Sequence, residues 1–342
     1  MNLQCPIILK DYPTVLLAHG GGGKLMTHLI NNMFRSVFKD VQDHDGARLS
    51  NESNDIVMTT DSFVVKPLFF PGGDIGKLCI AGTVNDLAMC GAVPKYISLG
   101  LIIEEGLEME VLWDIVKSIA KESQSAGISI VTGDTKVVER GKGDGIYINT
   151  TGIGWIKDGV NISPSLISPN DAIIISGDIG RHGVAVMSHR EGLQFETDIQ
   201  SDCASLHEVV ASVLDMAIPI HCLRDLTRGG LAAALVELSN SCNLDMYVQE
   251  SKIPIEMQVM SVCELLGIDP MSVACEGRFI LFTPQEHADD VISQLHKHPF
   301  SNNALQIGRV SEDKRGRVIM STIFGTDRLL ELPSGEQLPR IC

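Results

Sequence analysis

Isolated aspartates beside predicted strand ends or glycines are the first residues that could carry chemistry. They are Asp45, Asp61, Asp86, Asp134 and Asp225. Hard oxygen ligands contributed by separate elements suit a Mg²⁺ ion that is shared with a phosphate chain. For any single aspartate an ordinary role as a turn residue or helix cap is favoured. Asp86 is the exception, because it interrupts an apolar helical stretch in which an unpartnered carboxylate would be costly.

A glycine-rich loop is the second candidate. The stretch HGGGGK runs from His19 to Lys24, between a short apolar strand predicted at 15–17 and an amphipathic helix predicted at 24–38. Free backbone N–H groups at a helix N-terminus attract phosphate, and the Lys24 ammonium adds a positive charge. The loop is not a Walker A motif, because Leu25 follows the lysine where that motif has Ser or Thr. Phosphate binding and a mobile turn remain equal alternatives.

Two further charged residues have a possible role in phosphate or proton chemistry. Lys136 follows Asp134 by two positions, so its ammonium could reach a phosphate bound there. Glu276 precedes a glycine and an apolar strand. A carboxylate shielded from water at that point would have a raised pKa and could accept a proton near neutrality. A solvated salt bridge is the alternative for both, and the residues alone favour it.

The last twelve residues, ELPSGEQLPRIC, contain two prolines and a glycine and show little periodicity. They predict an extended arm, which could span up to about 40 Å. Cys342 would then be a thiol able to reach a cleft of the same or a neighbouring subunit. The alternative is that the terminal residue has no chemical role.

Composition excludes several classes of protein. The net charge of −16 argues against a sequence-independent grip on nucleic acid. No apolar run approaches the ~18 residues of a membrane helix, and the N-terminal residues do not resemble a signal peptide. The nine cysteines include no CxxC pair, so neither a disulfide framework nor a zinc site is expected. These features predict a cytoplasmic protein that binds neither membranes nor nucleic acid.

Helices and strands alternate on both sides of a polar stretch at 157–171 that contains two prolines. Before it, we predict strands at 56–60, 96–103, 128–132 and 146–153 and helices at 75–90 and 107–126. After it, we predict strands near 172–176, 244–248, 279–283 and 304–310, a glycine-bounded loop after the first of these, and helices near 201–216, 229–241, 256–266 and 285–297. Two α/β-type domains joined by a linker are therefore expected.

Seven motifs together resemble one family. They are HGGGGK, TTDSFVVKPLFFPGGDIGKL, AGTVNDLAMCGA, GDTKVVERG, INTTGIG, LRDLTRGGLAAAL and the terminal LPRIC. The chain resembles the HypE family of hydrogenase maturation proteins, the carbamoyl dehydratases of [NiFe]-hydrogenase assembly, from about Leu17 to Cys342. The blocks PGGDIGKL and PRIC are the most specific parts. The wider superfamily includes aminoimidazole ribonucleotide synthetase and selenophosphate synthetase.

The resemblance implies an α/β (α+β) fold of the two-domain aminoimidazole ribonucleotide synthetase type. Residues 1–156 would form an N-terminal domain that binds ATP and pairs its sheet across a homodimer. Residues 157–171 would be the linker and 172–330 the C-terminal α/β domain. Residues 331–342 would be a flexible tail that carries Cys342.

The resemblance also implies a reaction. The carbamoyltransferase HypF would place a carbamoyl group on the Cys342 thiol. The chain would then use ATP and Mg²⁺ to dehydrate that group to a thiocyanate, which is a lyase reaction of the hydro-lyase type. The cyano group would pass to iron on a HypC–HypD scaffold complex.

The family's site residues can be assigned to matching positions. The resemblance implies metal ligands at Asp45, Asp61, Asp86 and Asp225. It implies nucleotide contacts at Gly21, Gly22, Gly23, Lys24, Asp61, Asp134 and Asn149. It implies catalytic roles for Cys342, Glu276, Lys136 and His19, with Glu276 as the base that deprotonates the amide and His19 as its rival.

Two other functions stay open. A synthetase of the same superfamily could act on a small substrate, although the selenophosphate type has a Cys or selenocysteine in its glycine loop and residues 20–23 are all glycine. The same loop departs from the HGAGGK expected of the HypE family, a change that leaves phosphate contact possible. A non-catalytic scaffold could instead dock partners through its acidic surface and its arm.

Overall fold

The computed structural model describes residues 12–16, 19, 29–39, 55–189 and 198–331. The predicted site residues Gly21, Gly22, Gly23, Lys24, Asp45 and Cys342 lie outside the described residues. Near the N-terminus a helical segment runs through Ile30–Phe34 and Arg35–Val37, within the helix predicted at 24–38. Of the strand predicted at 15–17, the described residues 15 and 16 do not form a strand, although Thr14 beside them forms an isolated bridge with Glu108.

Four described strands form the first sheet. They are β1 (Ile56–Phe63), β4 (Ala92–Glu104), β5 (Ser129–Val138) and β6 (Ile146–Ile156), and they lie in the order β1-β6-β4-β5. A small hairpin of β2 (Phe69–Phe70) and β3 (Gly73–Asp74) follows β1. Strand β6 is antiparallel to both of its neighbours, whereas β4 and β5 are parallel. One edge of the sheet therefore collects the carboxyl ends of β1, β4 and β5.

Two helices cover one face of this sheet, namely α1 (Ile75–Met89) and α2 (Met109–Ser125). Asp74 caps α1, because its Oδ1 accepts from the backbone N–H groups of Gly76 at 2.7 Å and Lys77 at 3.1 Å. The other carboxylate oxygen of Asp74 accepts from Ser118 Oγ on α2 at 2.7 Å. The motif PGGDIGKL therefore starts α1 and ties it to α2.

Helix α1 lies close to the first sheet because there is a glycine on each side of the contact. A Cβ atom on Gly152 of β6 would come within 2.6 Å of Thr83 Cγ2, and one on Gly82 of α1 would come within 2.9 Å of Phe63 Cζ. The approach also allows the buried hydroxyls of Thr83 and Thr150 to form a hydrogen bond of 2.5 Å. The position of α1 relative to β1 and β6 is thereby fixed.

Seven described strands form the second sheet, in the order β13-β12-β9-β11-β7-β10-β8. The strands are β7 (Asp171–Ile175), β8 (Cys222–Asp225), β9 (Met246–Gln249), β10 (Phe279–Pro284), β11 (Leu305–Val310), β12 (Val318–Ser321) and β13 (Asp327–Leu330). The helices are α3 (Arg181–Ser188), α4 (His207–Leu214), α5 (Gly230–Cys242), α6 (Met257–Leu266) and α7 (Ala288–Leu295). Short 3₁₀ turns lie at Pro164–Leu166, Glu250–Lys252, Pro270–Ser272, Gln285–His287 and Pro299–Ser301.

Both faces of the second sheet are covered, which explains the apolar character of its central strands. Along β7, Ile173 and Ile175 enter a core with Leu231 and Leu235 of α5. Residue Ile174 between them enters a second core with side chains of α4 and α7. Ala88 and Met89, at the end of α1, also belong to this second core. We call the part of the molecule built on the first sheet the first half, and the part built on the second sheet the second half. Helix α1 therefore packs in both halves.

The predicted mixture of helices and strands is confirmed, with three differences. Strand β5 continues through Gly133, where a turn was expected, because a Cβ there would lie 2.3 Å from the Leu99 carbonyl oxygen, so the glycine serves strand pairing. Asp134 and Lys136 therefore lie within β5, and Asp61 lies within β1, which extends beyond its predicted end to Phe63. Helix α3 occupies the segment predicted as a glycine-bounded loop, and β2, β3, β8, β12 and β13 were not predicted. No helix in the described ranges is long and apolar enough to cross a membrane.

The close approach of α1 to the sheet can be tested with Gly152→Ala. The added methyl group would overlap Thr83 and Leu87, so we expect a loss of about 1–3 kcal/mol in the free energy of unfolding, measured in urea. Gly143→Ala is the control, because its Cβ would meet no neighbour closer than 3.4 Å. Equal stability of the two variants would contradict the proposed packing constraint.

Candidate functional site

A pocket between the two halves brings four carboxyl groups together. Asp61 and Asp86 come from the first half, and Asp225 and Glu276 come from the second. The remaining lining residues are Ser62, Phe63, Gly82, Thr227 and Arg228. Four of the residues selected from the sequence, separated by up to 215 positions along the chain, are therefore neighbours in the fold.

Asp61 and Asp86 face each other across the contact between β1 and α1. Thr59, two residues before Asp61, donates its hydroxyl to Asp86 Oδ2 at 2.6 Å. Burial raises the pKa of Asp61 to about 6, assisted by the charge of Asp86 and a hydrogen bond with it, while the Arg228 guanidinium opposes the rise. The carboxylate that was expected to need a partner inside an apolar helix thus has one in Thr59.

Asp225 ends strand β8, where its side chain is almost fully buried. Burial, followed by the charges of Asp86 and Asp61, raises the pKa of Asp225 to about 7, and Arg224 opposes this rise. At neutral pH this carboxyl group is therefore divided between its charged and protonated forms.

Glu276 is the most enclosed member of the cluster, with 2% of its surface exposed. Burial, followed by the charge of Asp225, raises the pKa of Glu276 well above its ordinary value. Its Oε1 atom is buried and has no hydrogen-bond partner within the part of the chain that the structure describes. Such a group is suited to accept a proton from a bound substrate.

The donor set fits a hard divalent cation that brings some of its own ligands. Besides burial, the charge of Asp86 contributes to the raised pKa of Asp61, Asp225 and Glu276, and a cation would neutralise such crowded negative charge. Among the described residues, however, no three acidic or thiol or imidazole side chains form a complete metal site. Mg²⁺ commonly uses only one or two carboxylates and takes its other oxygens from phosphate and water. The pocket therefore fits Mg²⁺ held jointly with a phosphate chain.

Asp134, Lys136 and Asn149 lie on the opposite face of the first sheet. The register aligns Asp134, Gly100, Asn149 and Ser62 in one row. The side chains of Asp134, Asn149 and Ser62 therefore share the face that α1 and α2 leave open, whereas Asp61 points toward α1. The Asp134 and Lys136 side chains are more than 60% exposed and form an ion pair of 3.3 Å. A single chain therefore does not place them beside the carboxylate pocket.

The Asn149 amide is committed to the neighbouring strand. It donates to the Asp61 carbonyl oxygen at 2.8 Å and to Ser62 Oγ at 3.1 Å. Its contact with β1 thereby supports the backbone that carries Asp61.

His19, the rival base, is not among the residues that line the pocket. The imidazole is buried, accepts a hydrogen bond from the Leu16 N–H at Nδ1 (2.9 Å) and meets the Tyr12 ring edge-to-face. Burial lowers the pKa of His19. Within the described residues, the structure thus favours Glu276 over His19 as the group nearest the carboxylate cluster.

Sequence reasoning missed Arg228, a positively charged residue that lines the pocket. Arg228 lies three residues after Asp225 in LRDLTRGG and is followed by two glycines with φ values of +82° and +60°. These left-handed glycines turn the chain sharply into α5 and leave Arg228 at the pocket. A basic residue between an expected metal ligand and a pair of glycines was the available signal.

Known families and proteins were compared with the chain. The model of the AIR synthase related protein N-terminal domain matches residues 43–156, and that of the C-terminal domain matches residues 168–321. Carbamoyl dehydratase HypE of Rhizobium leguminosarum bv. viciae is 47% identical over 334 residues, which are 95% of this chain and 94% of that protein. The HypE of Escherichia coli K12 is 42% identical, over 96% of this chain and 99% of its own.

Solved structures agree. A hydrogenase maturation protein HypE in complex with ATP superposes with a TM-score of 0.91 at 43% identity, covering 96% of this chain and all of that chain. HypE in a HypE–HypF complex superposes with a TM-score of 0.79 at 43% identity, covering 89% and 99%. The predicted resemblance and the predicted α/β fold of the aminoimidazole ribonucleotide synthetase type are confirmed.

The raised pKa of Asp225 makes a prediction for the variant Asp225→Asn. Because the folded state holds the pKa of Asp225 at about 7, above its unfolded value, the folded protein binds more protons and loses stability as the pH rises toward 7. Between pH 5.5 and 8 in EDTA, we expect the free energy of unfolding to fall by about 2 kcal/mol more in the wild type than in the variant.

Urea unfolding at the two pH values measures this difference. Asp158→Asn, which changes an exposed carboxyl group outside the pocket, should behave as the wild type does. The same pH dependence in Asp225→Asn and the wild type would show that burial and the neighbouring carboxylates do not raise the pKa of Asp225 as described.

Proposed function

Because the chain belongs to the HypE family, we propose that it is a carbamoyl dehydratase, which uses ATP to convert an S-carbamoyl group on Cys342 to a thiocyanate. The observation that carries the proposal is the meeting of Asp61, Asp86, Asp225 and Glu276 in one pocket between the halves. The relative with a TM-score of 0.91 was solved in complex with ATP, which supports ATP as the nucleotide.

The residue types suit the reaction. The oxygen of a carboxamide is a poor leaving group, so it must first be phosphorylated. The carboxamide oxygen takes the terminal phosphoryl group of ATP, and ADP leaves. Loss of the N–H protons and cleavage of the C–O bond then release phosphate and form the nitrile. The net change is the removal of one water from the carboxamide and the conversion of ATP to ADP and phosphate.

We assign the metal to the aspartates. Asp61, Asp86 and Asp225 would hold Mg²⁺ either directly or through its bound water, together with Asp45, which remains a prediction outside the described residues. When bound, the ion would supply charge neutralisation for the phosphate oxygens. The Gly21–Gly23 backbone and Lys24 remain predicted phosphate contacts. Arg228 adds the guanidinium of the pocket, suited to the charge that builds on a leaving phosphate.

Glu276 is the proposed base. Its Oε1 atom, which is without a hydrogen-bond partner among the described residues, would accept the proton of the carboxamide nitrogen. The burial of Glu276 keeps water from competing for that atom. A carboxyl group with a raised pKa is a stronger base than an exposed glutamate once it is ionised. Binding of a cation beside it would favour that ionised form.

The open face of the first sheet is the proposed homodimer interface. It presents exposed apolar side chains, including Ile56, Met58 and Ile102, which α1 and α2 do not cover. Asp134 and Lys136 lie on this face, so we propose that they meet phosphates or the carboxamide only across the dimer. Sedimentation at micromolar concentration tests this arrangement, and a monomer would contradict it.

The proposed partners follow from the family. A relative has been solved in a HypE–HypF complex, which supports HypF as the carbamoyl donor to the tail. The HypC–HypD complex is the proposed acceptor of the cyano group. All seven described cysteines are free thiols, which suits the cytoplasm as the proposed location.

One prediction of the proposed function concerns the C-terminal tail. Carbamoylated protein incubated with ATP and Mg²⁺ should lose the mass of one water from its C-terminal peptide, as measured by mass spectrometry. Cys342→Ala should acquire neither the carbamoyl group nor the nitrile, while its calorimetric affinity for ATP stays near that of the wild type. Phosphorylation would instead raise the mass of the peptide.

The same experiment separates the alternatives. A pure scaffold would bind no ATP in the calorimeter. A synthetase acting on a small substrate would keep its turnover in a chain that lacks residues 331–342. Full cyanide transfer by Cys342→Ala would exclude the tail as the carrier.

Another prediction of the proposed function concerns Glu276 as the base. Glu276→Gln retains the shape of the side chain but cannot accept the proton, so the rate of nitrile formation should fall by roughly 10²–10⁴-fold. The affinity for ATP should change little, since the aspartates remain. An unchanged single-turnover rate would remove Glu276 from the chemistry.

A further inference from the structure

Asn85, the neighbour of Asp86 on α1, is buried at the contact between the two halves with 2% of its surface exposed. Its Nδ2 donates to the carbonyl oxygens of Ala204 at 3.0 Å and Glu276 at 3.3 Å. Its Oδ1 accepts from the Leu206 N–H at 2.7 Å. Both ends of the amide are thus used, and all three partners belong to the second half.

These partners belong to two chain segments that cross closely. A Cβ on Gly277 would lie 1.9 Å from the Asp202 carbonyl oxygen, so only glycine allows the crossing. The Gly277 N–H donates to Asp202 Oδ2 at 3.0 Å, and the Ala204 N–H donates to the Glu276 carbonyl oxygen at 3.4 Å. The backbone of Glu276 is therefore held by the 202–204 segment, and Asn85 forms hydrogen bonds with both of the crossing segments.

Adjacent residues of a helix point in directions about 100° apart. On α1, Asp86 lines the carboxylate pocket while Asn85 reaches into the second half. One rigid turn of helix thereby connects the aspartates to the segment that carries Glu276. The separation between Asp86 and the Glu276 carboxylate depends on this connection.

We propose that Asn85 is a positioning residue that holds Glu276 in register with Asp61 and Asp86 across the two halves. This inference rests on the proposed function, because it assigns Asn85 to the step in which Glu276 accepts the proton. Asn85 itself touches neither nucleotide nor carboxamide.

A directional contact is what such a role requires. Ala88 and Met89 pack in the second core, and such apolar contacts resist separation better than sliding. Ser205 adds one directional contact between the halves, a hydrogen bond to Glu122 Oε1 at 2.7 Å. Three hydrogen bonds from one buried amide fix both distance and orientation, because each would be left unsatisfied by a shift. A misplacement of about 1 Å at a catalytic group can reduce a rate by on the order of 10²-fold.

The test is a double-mutant cycle of Asn85→Ala with Glu276→Gln, followed by single-turnover nitrile formation and by the Kd for ATP with Mg²⁺. We expect Asn85→Ala to slow nitrile formation at least about tenfold with less than about a threefold change in Kd. The double variant should be no slower than Glu276→Gln alone, because residues that act through one group are non-additive.

Ser239→Ala is the matched control. It also removes a buried hydrogen bond, from Ser239 Oγ to the Leu244 carbonyl oxygen at 2.8 Å, but on α5 away from the pocket. Its rate should match that of the wild type. Should Asn85→Ala not fold, Asn85→Ser retains one polar atom and takes its place in the cycle.

Two failures are distinguishable. Absence of nitrile in the wild type would reject the proposed function. Normal wild-type turnover with additive effects of Asn85→Ala and Glu276→Gln, or with Kd and rate reduced in parallel, would reject the positioning role alone.

Discussion

The constraint on which the rest of this structure depends is the crowding of four carboxyl groups in one partly buried pocket. Close like charges near a protein surface repel by a few kcal/mol for each pair, against a total stability of about 5–15 kcal/mol for a typical protein. Burial, followed by the charges of neighbouring carboxylates, raises the pKa of both Asp61 and Asp225. A pocket of this kind persists only where the surrounding fold fixes its walls.

Helix α1 supplies most of that fixation. The Asp74 cap and the Ser118 contact secure its start, and the Thr83–Thr150 contact holds its middle against the sheet. Its last residues enter the core of the second half. The wall that carries Asp86 is thus braced at three points, none of which is itself a charged group of the pocket. Such bracing keeps the negative charge concentrated where a cation and its phosphates can neutralise it.

The sequence predicted the parts of this arrangement that rest on local rules. The apolar stretch that forms α1 indicated a buried helix, and the cost of a carboxylate inside it singled out Asp86. The structure gives Asp86 the partner that this cost required. For Glu276 the residues alone favoured a solvated salt bridge, whereas the structure encloses its carboxyl group. Local rules failed at Gly133, where a glycine that lets two strands approach looked like a turn, and so Asp134 was expected beyond the strand.

Long-range contacts were beyond the reach of local patterns. The partners of Asn85 lie 119 to 191 positions away, and no periodicity connects them. The same holds for the face of the sheet that each strand residue occupies, because a shift of register by one residue reverses it. Hence the sequence identified Asp134 and Lys136 as candidates for phosphate chemistry without indicating that they point away from the pocket of their own chain.

The placement of the pocket between the halves also bears on how a tethered substrate would be handled. A reacting group on a short flexible tail has an effective concentration of about millimolar near its site, even when the site binds it weakly. Under the proposed function, weak binding of the ground state would be an advantage, since the tail would also have to leave to meet the proteins that load and unload it. The pocket could then reserve two strong interactions for the charge and the proton that appear only during the proposed reaction. These come from the Arg228 guanidinium and from the Glu276 Oε1 atom, which has no hydrogen-bond partner in the described part of the chain. A site so arranged needs exact relative placement of its two walls more than it needs affinity for the tail, which is why the contact between the halves matters to the chemistry.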